Sequence, residues 1–221
     1  IKFLGLFLDQ YLNFKYHIKI ITNKLSSALF CIRRCRHFLS DKAMITLYFS
    51  MFHCHIIYAL LAWGCANKGV LDPIIKKQKK AIRLISNARY NSHTDPLFKK
   101  LEILRFDDLY KAAKIEFMQA FLLEKLPPSF DNIWVTNLFN KSVVLRNSAE
   151  IFVPQPRLDF SGRLPLHDIP KTYNELNNQS LKNNTSMDSF KDGLKAHFLN
   201  NLQNVVYCGR PFCKDCFPDQ I

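Results

Sequence analysis

A chain of 221 residues, 48% of them hydrophobic, can bury a core of its own in one or two domains, so it has no need of a small stapled scaffold. A net charge of +13 and a pI near 9.5 point to an anionic partner, either nucleic acid or an anionic membrane surface, and composition alone does not choose between them. Seven Cys, an odd number without a signal peptide, argue against a secreted disulfide framework and favour a reducing intracellular compartment, the nucleus included.

Residues 1–8 read IKFLGLFL, an apolar run with Gly5 in its middle. Its length and the central Gly predict a buried strand or the arm of a hairpin. Ile1 falls mid-pattern and without a Met, which reads as a piece of a longer protein. From about Lys15 the apolar residues Ile18, Ile21, Leu25, Leu29 and Ile32 recur at three and four residues and define one face of a helix. Arg33, Arg34, Arg36 and His37 cluster at its C-terminal end, where cations either complement the helix dipole or meet phosphate.

Ser40-Asp41 reads as an N-cap. Between Lys42 and Lys68 there is no Lys, Arg, Asp or Glu, a run long enough to raise a membrane span. Thr46, Ser50, His53, Cys54, His55 and Asn67 interrupt it, and its aromatics do not gather into two belts, so one buried helix or two short ones is the expectation. Asp72-Pro73 then predicts a helix start. In that helix Ile74, Ile75, Gln78, Ala81, Ile82 and Ile85 share one face, while Lys76, Lys80 and Arg83 share another with Lys77 and Lys79 on its flanks. Like charges at these spacings cost about tenths of a kcal/mol per pair in an isolated helix, a cost that an anionic ligand relieves and a merely solvated face does not.

Thr94-Asp95-Pro96 gives another start signal, and Asp107 is expected to cap an amphipathic helix with Leu109, Tyr110, Ala113, Phe117, Ala120, Phe121 and Leu126 inward. Pro127-Pro128 stops it and marks a domain boundary. Residues 129–185 are rich in Asn, Pro and Ser, which predicts loops, a few short strands near Val143-Val144-Leu145 and Ile151-Phe152-Val153, and at most one or two short helices. Ser186 caps a last helix with Phe190, Leu194, Phe198 and Leu202 in one stripe. The fold class is therefore mainly α: a short N-terminal strand or hairpin over 1–14, a helical bundle over 15–126, and an irregular tail over 127–221 with few short strands and a terminal helix.

Charge divides the chain in the same place. Residues 1–126 hold 21 Lys+Arg against 9 Asp+Glu, and residues 127–221 hold 10 against 9, so the excess belongs to the first part. Asp107-Asp108 is the one adjacent acidic pair there, and without a third carboxylate it suits capping better than a pair of Mg²⁺ ions. No Gly-rich phosphate loop and no nucleophile motif occurs. Cys213 and Cys216 have true Cys-x-x-Cys spacing, with Cys208 available as a third zinc ligand and His197 as a fourth, or else these are free thiols in a loose tail.

The order of these features resembles the region after the catalytic palm in reverse transcriptases of non-LTR retrotransposons of the jockey-like group. The resemblance is carried by Lys2-Phe3-Leu4-Gly5-Leu6 with Leu8-Asp9, His17-Ile18, Arg36-His37-Phe38-Leu39 and Leu47-Tyr48-Phe49-Ser50. It continues through Tyr58, Trp63-Gly64, Gln78-Lys79-Lys80-Ala81-Ile82-Arg83 and His93-Thr94-Asp95-Pro96-Leu97-Phe98. In the tail, Lys171-Thr172-Tyr173-Asn174-Glu175-Leu176, Ser189-Phe190-Lys191 and Leu194-Lys195 are similar to the ends of the same reading frames, although Tyr173 stands where the family often has Trp.

The resemblance implies that Phe3, Leu4 and Gly5 form a primer-grip-like hairpin and that the helices after it form a thumb. That thumb would hold RNA/DNA or DNA duplex by its backbone through Arg33, Arg34, Arg36, Lys76, Lys77, Lys79, Lys80 and Arg83. The catalytic aspartates and their Mg²⁺ would belong to an upstream palm, the thumb's other partner. This chain alone would then be no enzyme, with no cofactor beyond the zinc its Cys cluster could hold, and no membrane partner. The alternative is a non-catalytic structural or interaction remnant that packs on a partner domain.

Overall fold

The computed structural model describes residues 1–131, 133–135, 151–153 and 155–202, and at residues 159 and 160 the backbone alone. The chain is mainly helical with one N-terminal antiparallel hairpin, as the sequence predicts. Its backbone forms two compact units, one of residues 1–109 with those from 196 on, the other of residues 110–195.

The hairpin pairs β1 (Lys2–Phe3) with β2 (Leu6–Phe7) in the register Lys2↔Phe7 and Phe3↔Leu6. Leu4 and Gly5 both take positive φ, 45° and 84°, as the two-residue loop of a right-twisted hairpin requires. The expected burial is not found: Phe3 is 62% and Leu4 77% exposed. Four paired residues make too small a sheet to stand alone, so the helices hold it. The Tyr58 hydroxyl donates to the Leu4 carbonyl, and the Phe7 amide donates to His17 Nδ1 at 3.4 Å.

Helix α1 (Lys15–Cys35) buries the expected line Ile18, Ile21, Leu25, Leu29 and Ile32. Ser40 caps α2 (Asp41–Tyr48), its hydroxyl accepting from the Ala43 amide. One wide π turn (Phe49–His53) leads directly into α3 (Cys54–Ile57). A pure α-helix advances 100° per residue, so side chains four apart drift sideways by about 40°. The wider turn offsets that drift, and Met44, Tyr48, Phe52 and Ile56 all lie buried at four-residue steps. The helix ends where Tyr58 is extended and Ala59 left-handed, and α4 (Leu60–Trp63) turns back to let the Trp63 indole donate to the Tyr58 carbonyl at 2.8 Å. Among the described residues no helix is long and apolar enough to cross a membrane.

Helix α5 (Lys68–Ile85) starts four residues before the expected Asp72-Pro73. Pro73 sacrifices only the bond to the Gly69 carbonyl, and the surroundings of Gly69 are open, so this turn tolerates it. Buried Leu71, Ile74, Gln78, Ala81, Ile82 and Ile85 face the core, and α5 packs chiefly on α1. Gln78 is 1% exposed. Its amide nitrogen donates to the Leu104 carbonyl (3.0 Å) and the Tyr48 hydroxyl (3.2 Å), and its oxygen accepts from the Phe106 amide (2.8 Å). The helix α6 (Asp95–Lys100) begins at its expected signal and buries Phe98.

Helix α7 (Phe106–Leu122) starts one residue before Asp107, which lies in its first turn and not at a cap. Its inward line also differs from the expectation. Ala112, Lys114, Ile115, Met118 and Gln119 are buried, whereas Leu109, Tyr110, Ala113, Phe117, Ala120 and Phe121 are only half-buried. The division between the two units falls inside this helix, ahead of Pro127-Pro128.

In the second unit a 3-10 turn (Pro128–Phe130) follows α7, and three short helices, α8 (Asp159–Arg163), α9 (Pro165–Asn174) and α10 (Gln179–Lys182), exceed the one or two expected. Pro165 accounts for part of the miss: at the first position of α9 it is a start signal, not a breaker. Gln119 gathers this unit, donating to the Lys182 and Asn184 carbonyls and accepting from the Tyr173 hydroxyl at 2.7 Å. Burial pushes that phenol up to about 12. Lys114 pairs with Asp168 at 2.9 Å, and the Trp134 indole donates to the Leu166 carbonyl. The last helix, α11 (Met187–Asn201), comes close enough that a Cβ on Gly193 would sit 2.6 Å from Leu181 Cδ2. Phe190, Leu194, Phe198 and Leu202 are all buried, as their spacing predicts. Ile151 is tied to Asn174 by two hydrogen bonds, while Val143-Val144-Leu145 lie outside the described residues.

Candidate nucleic-acid interface

Because α1 and α5 each spend one face on the shared core, their opposite faces carry the charge. On α5 Lys76 and Lys80 are exposed and Lys77 and Lys79 half-buried on either side of them. Lys76 reaches Asp72 one turn back at 3.5 Å, an exposed pair worth little. Lys77 Nζ donates to Ser26 Oγ of α1 at 2.7 Å, which fixes the flank of the basic stripe against the neighbouring helix. On α1 Arg33 and Arg34 are exposed in the last turn, and Arg36 is half-buried just beyond it.

Arg83 has a structural task besides its charge. Its Nε donates to the Ser92 carbonyl at 2.8 Å, which ties the loop after α5 back onto the helix. Burial lowers its pKa, with the nearby Tyr90 opposing. The guanidinium is a strut here first and a surface charge second.

The hairpin residues Phe3, Leu4 and Gly5 form the loop and its flank, latched through Tyr58. Asp108 is held by Arg105 at 2.8 Å, and Asp95 lies 3.6 Å from the same guanidinium, so Asp108 of the acidic pair joins Asp95 in an ion-pair cluster at the start of α7. Among the described residues no group of three or more His, Cys, Asp or Glu is placed to hold a metal ion. The proposed zinc ligands Cys208, Cys213 and Cys216 lie outside the described residues. The remaining candidate, His197, shares a hydrogen bond with Asn201.

Two side chains escaped the sequence reading. Ser26 looks like any exposed helix serine until Lys77 is seen beside it. His17 is 4% exposed, and with Nδ1 accepting from Phe7 it is neutral, its Nε2 left without a hydrogen-bond partner. Burial first, and Lys24 second, hold its pKa below the ordinary value. Its alternation with apolar neighbours gave no signal of that task.

Comparison of the chain with family models, with curated proteins and with solved structures found no match.

Proposed function

We propose that the first unit binds the backbone of RNA/DNA or DNA duplex as a thumb, in the manner of the non-LTR retrotransposon reverse transcriptases that its sequence resembles. The observation that carries this reading is the packing of α1 on α5 with both outward faces cationic and the Lys77–Ser26 bond between them. Rigid helices bearing Lys and Arg suit contacts to phosphate, which position a duplex without reading its sequence. Polymerisation would require a palm with its own aspartates and Mg²⁺, and this chain's part would be grip, not chemistry.

A fluorescence-anisotropy titration of a labelled RNA/DNA duplex against salt tests this. Log K should fall linearly with log salt, and changing Lys76, Lys77, Lys79 and Lys80 to Gln together should flatten the slope by up to about three or four, near one per lost phosphate contact. Tight binding that survives the fourfold change would refute the assignment of α5.

A second reading is favoured by the exposed apolar side chains of the N-terminal segment, Phe3, Leu4, Tyr11 and Tyr16. In that case the chain is a non-catalytic interaction module whose hairpin packs on a partner domain, and its affinity for duplex would be absent at physiological salt.

A further inference from the structure

The outward face of α1 presents a large ring that neither the core nor a duplex backbone explains. Phe30 is 60% exposed in the C-terminal half of a 21-residue helix. Ser26, Phe30, Arg33 and Arg34 fall at i, i+4, i+7 and i+8 and so share one face, opposite the buried line that ends at Ile32. The Arg34 guanidinium carbon lies 5.3 Å from the Phe30 ring centroid. One turn to the other side of the ring, Ser26 holds the Lys77 ammonium. The ring is therefore bracketed along the helix by cations at both ends.

Cations alone suffice for a duplex, whose base faces are stacked on one another and closed to a side chain. An exposed aromatic ring set among cations is the arrangement that unpaired strands use, because every base has a π-face to stack and every nucleotide a phosphate to pair. We propose that this face of α1 takes an unpaired nucleotide strand next to the duplex. One base stacks on the Phe30–Arg34 pair, and the flanking phosphates meet Lys77 on one side and Arg33 on the other. The inference rests on reading the basic helices as a nucleic-acid interface and adds a single-stranded ligand to it.

Three labelled probes separate the two ideas: a single-stranded oligonucleotide, a blunt duplex containing it, and the same duplex with a single-stranded overhang. Phe30→Leu keeps a good helix former at an exposed position, so the fold is retained and circular dichroism verifies it. It should weaken the single strand and the overhang duplex about five- to a hundredfold and leave the blunt duplex unchanged. Phe30→Trp should restore binding, with the added indole fluorescence quenched by the single strand. Equal losses for all three probes, or no loss for any, overturn the stacking site. If Lys77→Gln weakens the blunt duplex while Phe30→Leu changes nothing, the stacking site alone falls. If no probe binds the unaltered protein, both readings fall.

Discussion

Each of the two units is gathered around a buried glutamine, yet the partners of the two are buried to different depths. Gln78 bonds a hydroxyl, a carbonyl and an amide that are all inside, whereas Gln119 bonds Tyr173 inside but reaches the carbonyls of Lys182 and Asn184, residues that are half-exposed. Charge differs as well: residues 1–109 hold 18 Lys+Arg against 7 Asp+Glu, and residues 110–195 hold 11 against 9. The first unit keeps its polar order inside and most of its charge outside, burying one carboxylate, Asp108, against Arg105. The second buries an ammonium instead, with Lys114 at 5% exposure against Asp168.

The sharpest way to break the comparison is to remove both glutamines in turn. Gln78→Leu orphans three buried groups and should cost about 3 kcal/mol or more, since each unsatisfied buried group costs roughly 1–3 kcal/mol. Gln119→Leu should cost about half as much, because water can reach the carbonyls it leaves. Urea denaturation followed by far-UV circular dichroism measures both, and equal losses would erase the distinction in depth.

Charge pairs give the next largest contrast. Lys114→Met strands Asp168 beside an apolar surface and should destabilise by about 2 kcal/mol, while the double change with Asp168→Leu should recover most of it. Loss of an exposed pair in the first unit, Asp72→Asn opposite Lys76, should stay below about 0.5 kcal/mol. Thermal melts of the four proteins, including the double variant, report the coupling directly.

The smallest effect is in pH. His17 titrates below its ordinary value in the folded protein, so as pH falls through about 6.5 the unfolded chain takes up the proton first and stability declines. Protonation of the folded protein, which comes at lower pH, places a donor on Nδ1 facing the Phe7 amide, so the hairpin should loosen below that range. His17→Gln should flatten the stability profile between pH 7 and 5, read from melting temperatures in matched buffers. A profile no flatter than that of the unaltered protein would remove His17 from this role.

Periodicity was the part of the fold easiest to read. The buried line of α1, the face of α5 that includes Gln78, and the stripe of α11 all follow from apolar spacing, since in each the buried residues are mostly apolar. In α7 the same reading turned the helix the wrong way. Its deepest positions include Lys114 and Gln119, whose burial depends on Asp168 and Tyr173 more than fifty residues away, and no local pattern encodes such partners. The start of α5 was missed for a related reason: Asp72-Pro73 is a strong local signal, overridden here because Leu71, buried ahead of it, extends the helix backwards onto the core. The basic stripe of α5 was legible as charge. Its relation to Ser26 and Phe30 was not, since it depends on how two separate helices meet.

The π turn at Phe49–His53 carries a consequence for how this chain can vary. Because it adjusts the phase between Tyr48 and Ile56, the segment from 41 to 57 has one place, the turn itself, that can take up a change of one residue in length. A Leu-for-Met exchange at Met44 keeps volume and should pass almost unnoticed. Loss of one residue within the turn would let it close into an ordinary α turn, and Ile56, then seven residues after Tyr48, would stay within about 20° of the same face. Related chains that differ in length within this segment should therefore do so by one residue at 49–53, and the flanking α-helical turns should vary by substitution alone.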